Sequence, residues 1–155
     1  MSNRVNFQPA EYHTITPAII VRDPDAAMEF YKKVFGAEQT TMLRMPDGKV
    51  MHAEFRIGDS RIMMAAEFPD YGMKAPVPGH NSSSLNLYVT DVDAVFKRAV
   101  DAGATALMPP ADMFWGDRYS KVADPFGHTW GIATHIEDVS DEECARRAAQ
   151  WKPEC

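Results

Sequence analysis

His52 and Glu54 stand two residues apart in "VMHAEFRIGDS", residues 50–60, a run that otherwise reads as a β-strand. Side chains alternate faces along a strand, so this imidazole and carboxylate project to one side while Ala53 and Phe55 project to the other. Three chemistries suit such a pair: metal ligation, proton transfer, and a hydrogen bond that orders the wall of a pocket. A merely solvated sheet face carries the same pattern. A second concentration lies in "DMFWGDRYSKVADPFGHTW", where Trp115, Asp117, Arg118 and Tyr119 place aromatic surface, a carboxylate and a guanidinium just before an expected strand. That mixture suits a small planar or charged ligand. The structural alternative is an Asp–Arg pair and a tucked Trp that fix a long loop. His135, at the end of the last expected strand, is a further pocket candidate, whereas Trp130 has the opposite parity and reads as core. Asp124–Gly127 reads as a turn, with the aspartate bonding back to the chain and His128 capping it.

These residues need elements to hold them. "TITPAIIV" has the length and apolarity of a strand, and "RDPDAAMEFYKKVFGAE" follows with Asp23 as N-cap, Pro24 at the first helical position and Gly36 at the end. Ala27, Phe30, Tyr31, Val34 and Phe35 fall on one helical face. Strands are expected around Gln39–Met45, Lys49–Ile57 and Ser60–Ala66, joined by the turns "PDG" and "GD". The first half is therefore β-α-β-β-β. The second half repeats this programme: the pattern V-x-D-x-D-A at Val21–Ala26 recurs at Val89–Ala94, an offset of 68 residues, and Gly36/Gly103 and Gly58/Gly127 agree with it to within a residue. The expected modules are 14–67 and 84–136, joined by a Pro/Gly/Ser-rich segment, 68–83, of a length suited to a lid or linker. A last helix, 139–151, begins at Ser140 with Glu143 completing a capping box.

Composition limits the partners. The chain of 155 residues is 45% hydrophobic, enough for a full core, and its net charge of −6 argues against nucleic acid and against an anionic membrane surface. No apolar run approaches the roughly 20 residues of a membrane span, and the first residues lack the layout of a signal peptide, so a cytoplasmic protein is expected. Cys144 and Cys155 are expected to be reduced thiols. Ten methionines suit either ordinary core filling or an adaptable pocket.

The duplicated β-α-β-β-β unit, together with "TPAIIV", "FYKKVFGAE", "MHAEFRIGDS" and "FWGDRYSKVADPFGHTWGIATH", resembles the vicinal oxygen chelate superfamily. That superfamily holds glyoxalases, bleomycin-binding proteins and ring-cleaving dioxygenases, and the look-alikes closest in motif are PhnB-like or glyoxalase-like proteins. The resemblance runs from about Ile15 to Arg147. It implies an α+β fold of tandem βαβββ modules forming a cupped mixed sheet, plus a C-terminal helix, and a homodimer. In the superfamily's metalloenzymes a divalent ion is held from the first strand of each module and by a glutamate on each last strand. Those positions fall here at Thr16 and Ser84, at Gly131, and near Ile62 or Met63, so the usual metal ligands are missing and no cofactor is expected.

Fold alone does not choose a function. One expectation is a binder of a small, partly aromatic or hydrophobic molecule in the cup. The alternative is a metal-dependent lyase, isomerase or dioxygenase whose divalent ion sits on a non-standard site using His52 and Glu54, completed by His135, Glu67 or His128.

Overall fold

A computed structural model describes residues 5–152, and the chain divides after Pro76 into two compact units. The first contains β1 (Ala18–Val21), α1 (Pro24–Phe35), β2 (Glu38–Arg44), β3 (Val50–Ile57) and β4 (Ser60–Ala66). The second contains β5 (Ser84–Tyr88), α2 (Val92–Asp101), β6 (Thr105–Asp112), β7 (Asp117–Ala123), β8 (Thr129–His135) and α3 (Asp141–Ala148). Each unit forms a four-stranded mixed sheet with the same connectivity, β1-β4-β3-β2 in one and β5-β8-β7-β6 in the other. In both, the first and last strands pair in parallel and the remaining pairs are antiparallel. This is the α+β architecture expected from the sequence, and the offset of 68 residues is visible in its details. Asp23 and Asp91 cap their helices identically, each carboxylate accepting from the backbone N–H three residues on at 3.0 Å.

Local chemistry explains the element ends. Pro24 opens α1 where a missing N–H is harmless, and Gly36 ends it at φ +67°, a left-handed conformation that glycine adopts without a Cβ clash. The second helix ends one residue before the expected glycine, at Ala102, with Gly103 following it. The capping box of α3 is half formed: the Glu143 N–H donates to Ser140 Oγ at 3.3 Å, but the Glu143 carboxylate turns instead to Arg146 and Arg147, both at 2.7 Å. Those guanidiniums lower the Glu143 carboxyl to about 2. Segment 68–83 contains a short 3-10 turn, Pro69–Tyr71, and a β-bridge between Phe68 and Met73. Among the described residues no helix is long and apolar enough to cross a membrane.

Strand alternation sorts each sheet into two faces. In the first unit Phe55 of β3 stacks on Tyr31 of α1, ring centroids 5.1 Å apart, and Ala53, Ile57, Ile62 and Met64 are buried on the same side. His52, Glu54, Arg61 and Met63 share the opposite, open face. In the second unit Val122, Trp130 and Ile132 are buried on the α2 side, leaving Asp117, Tyr119, Gly131 and His135 on the open face.

Trp130 is indeed core, and its indole N–H donates to Asp124 Oδ2 at 2.9 Å. The other oxygen of Asp124 accepts from the backbone N–H groups of Phe126 and His128, at 2.9 and 2.8 Å, so this aspartate holds the β7–β8 turn against the core. Asp124→Ala removes the acceptor of three hydrogen bonds and is expected to lower the unfolding free energy by about 2 kcal/mol. A urea midpoint indistinguishable from that of the parent would refute this role.

Candidate functional site

The open face of the first unit answers the question raised by His52 and Glu54: they face each other. His52 Nε2 lies 2.8 Å from Glu54 Oε1. Because a carboxylate only accepts, the nitrogen facing it carries the proton. Glu54 is 7% exposed and is fully engaged. Its second oxygen accepts from the Tyr12 hydroxyl and, at 3.3 Å, from Arg61. Arg61 reaches Thr40 Oγ1 at 3.0 Å and Glu11 at 2.7 Å, and its guanidinium lies 4.7 Å from the centroid of the Tyr12 ring. Burial pushes the Glu54 carboxyl up, but hydrogen bonds from His52, Tyr12 and Arg61 outweigh it and hold the group below the usual carboxylate range. The same contact with Glu54 raises the Tyr12 phenol. A cavity of about 370 Å³ abuts this cluster, lined in part by Phe7, Tyr12, His13 and Met63.

Neither Tyr12 nor Arg61 was expected from the sequence. A usable signal existed for Arg61. The two-residue turn Gly58-Asp59 sets Ile57 opposite Ser60, which puts Arg61 diagonally across from Glu54 on the same face. Tyr12 comes from an irregular segment with no period to read.

On the open face of the second unit the central group is Asp117, 5% exposed. It is the first residue of β7 rather than part of the preceding loop. Its oxygens accept from the Trp115 indole and the Tyr88 hydroxyl, each at 3.0 Å, and lie 2.8 Å from His135 Nδ1. Trp115 packs edge-on against Phe114 and Tyr119, with centroids 5.0 and 5.9 Å away. Trp115, Asp117, Tyr119 and His135 therefore gather on one patch. Arg118 does not join them: it lies on the α2 side of β7, bonded to Asp93 at 2.6 and 2.8 Å and to Asp112 at 2.9 Å. The alternative of an Asp117–Arg118 pair is not formed, because adjacent strand residues point to opposite faces.

His135 is clamped from both sides, its Nε2 lying 2.9 Å from Asp138 Oδ1. Asp138 and then Asp117 raise its pKa, so the imidazolium is favoured, with a donor for each carboxylate. A raised folded-state pKa gives stability that is complete below the ordinary imidazole value of 6.5 and is lost as pH rises through the folded value. The expected result is a thermal midpoint that falls as pH rises above the ordinary imidazole value in the parent and is flatter in His135→Gln. Parallel profiles for the two proteins would exclude the clamp.

The family's metal positions can be tested directly. A Cβ on Gly131 would lie 2.1 Å from Asn86 Oδ1 and 2.6 Å from the Tyr119 hydroxyl, so the space a metal-binding glutamate needs is taken by two side chains. The remaining positions supply Thr16, Ser84 and Met63, whose hydroxyls and thioether are a poor donor set for a hard divalent ion. These residues do not fit the usual ion. Among the described residues no group of three His, Cys, Asp or Glu side chains is placed to hold a metal. Of the residues considered as additional ligands, Glu67 accepts from the Ala75 backbone N–H at 2.8 Å, and His128 is buried at the β7–β8 turn.

Several methionines do reach open space. Besides Met63, Met108 and Met113 line a cavity of about 650 Å³ in the second unit, shared with Trp151 and Lys152. Met28 and Met64 are buried core residues.

Two mixed sheets of this connectivity, each with one helix-covered and one open face, define a duplicated βαβββ protein. The chain belongs to the Glyoxalase/Bleomycin resistance protein/Dioxygenase superfamily, whose profile matches residues 13–132. It is 39% identical to the uncharacterized protein Mb0911c of Mycobacterium bovis over 143 residues, which is 90% of this chain and 91% of that one. Among solved structures it resembles TioX from Micromonospora sp. ML1, with a TM-score of 0.62 and 30% identity, over 81% of this chain and 100% of that chain. The PhnB protein from Bacillus cereus shares the fold at 20% identity, with a TM-score of 0.63 over 79% of this chain and 99% of that chain.

Proposed function

We propose that this protein binds a small, partly aromatic or hydrophobic molecule on the open faces of its sheets, without the metal ion its superfamily commonly uses. The observation that carries this reading is the filled space at Gly131, where Asn86 and Tyr119 stand in place of a metal-binding glutamate. The first unit offers His52, Glu54 and Arg61 on the face where Tyr12 and Met63 line an apolar cavity. The second offers Trp115 and Tyr119 around Asp117 and His135. Aromatic walls with a few fixed polar groups are the usual composition of a small-molecule site. Superfamily resemblance adds a homodimer to the reading.

The test is metal content per chain by plasma mass spectrometry after exposure to zinc, manganese, iron and nickel, followed by a thermal-shift screen of planar aromatic compounds. A metal content near zero with saturable stabilisation by aromatics supports the proposal. The second reading, a metal-dependent lyase, isomerase or dioxygenase, would place the ion on His52 and Glu54, which share the open face of β3. Near one ion per chain, lost on His52→Ala, would establish it in place of the first.

A further inference from the structure

We propose that the ligand of the first unit's open face is a neutral phenol, and that Tyr12 is its built-in competitor. This rests on the small-molecule reading above and names the ligand's chemistry. Tyr12 already shows how a phenol is held there: its hydroxyl donates to Glu54 and its ring lies against the Arg61 guanidinium, 4.7 Å from the ring centroid. Glu54 is a fixed acceptor, because His52 holds its other oxygen at 2.8 Å. A carboxylate acceptor selects a hydroxyl donor and rejects anionic ligands. Arg61 does not offset that selection, because Glu54 itself faces it at 3.3 Å.

Three features mark Tyr12 as displaceable rather than as a permanent wall. Segment 5–17, which carries it, contains no helix or strand, and its apolar side chains hold little surface: Phe7 is 96% exposed and Ile15 83% exposed. A segment with so few buried contacts belongs to the least stable part of a structure. Its neighbour Glu11 sits at φ +67°, alone among the described non-glycine residues in having a positive φ, and L side chains adopt that conformation reluctantly. Finally, the Arg61 Nε beneath the ring is buried with no hydrogen-bond partner, so the closed arrangement leaves the site incompletely satisfied. The 370 Å³ cavity beside Tyr12 is also lined by Met63, the strand partner of Glu54, and gives an incoming ring a place next to the latch. A ligand that must displace Tyr12 binds with an affinity reduced by the fraction of closed molecules.

The experiment is calorimetric titration of the full chain with 4-methylphenol and with 4-methylanisole, which has the same ring but a blocked hydroxyl. Tyr12→Phe keeps the ring and removes the latch hydroxyl, and is expected to tighten 4-methylphenol binding about tenfold. Tyr12→Ala is expected to tighten it at least as much. Glu54→Gln in the Tyr12→Phe background should narrow the preference for the phenol over its methyl ether by about tenfold. Unchanged or weaker binding of 4-methylphenol in both Tyr12 variants would overturn the proposal, as would equal affinity for phenol and ether. If planar aromatics still bind in that case, the small-molecule reading survives alone. If no aromatic binds any of these proteins, both fall.

Discussion

Glu54→Leu is expected to lower the unfolding free energy by about 4 kcal/mol, because it leaves Arg61 buried without its central carboxylate. Arg61 is 11% exposed and cannot recover a full hydration shell where it lies, and its remaining anionic partner, Glu11, is a solvent-exposed side chain. Tyr12 and His52 lose their acceptor at the same time. The substitution also changes the acid limb of the stability profile. The carboxyl of Glu54 is held below its ordinary value, so it contributes stability that is present above the unfolded-state value of about 4.5 and is lost as pH falls through the folded value. The variant should therefore lose less than the parent over that window. Urea denaturation at about pH 7 and along the acid limb reads both effects. A loss under about 1 kcal/mol, with an unaltered acid limb, would mean that Glu54 behaves as an ordinary surface carboxylate.

Gly131→Glu is expected to destabilise the second unit by about 3 kcal/mol and to gain no metal affinity. The added Cβ would meet Asn86 Oδ1 at 2.1 Å and the Tyr119 hydroxyl at 2.6 Å, so both side chains must shift on the open face. Ser84 and Thr16, which stand where the family's first-strand ligands fall, supply only hydroxyls. Differential scanning calorimetry with and without zinc reads the outcome. A variant as stable as the parent, or one stabilised by zinc, would show that the glutamate position is open.

Much of this fold is legible in the residues, because each element is specified locally. Asp23-Pro24 and Gly36 bracket α1, Gly58-Asp59 closes the β3–β4 hairpin, and the repeated V-x-D-x-D-A pattern makes the second unit a copy of the first. Strand parity alone put His52 and Glu54 on one side and Trp130 in the core. Parity also separates Arg118 from Asp117, although their adjacency in sequence suggested a pair. The partners of each carboxylate were harder to read. Tyr12 meets Glu54 across 42 residues, and Tyr88 meets Asp117 across 29. One comes from irregular chain and the other from the parallel neighbour of β8, so neither follows from local periodicity. The clamp on His135 needed Asp138, which lies beyond the last strand.

We propose that this chain holds a small aromatic molecule without a metal ion. The most direct measurement is a calorimetric titration of chelator-treated protein with 2-naphthol, repeated in the presence of zinc, manganese, iron and nickel. Saturable binding with the same affinity is expected in every case. Binding that appears only when an ion is added, or no binding under any condition, would contradict it.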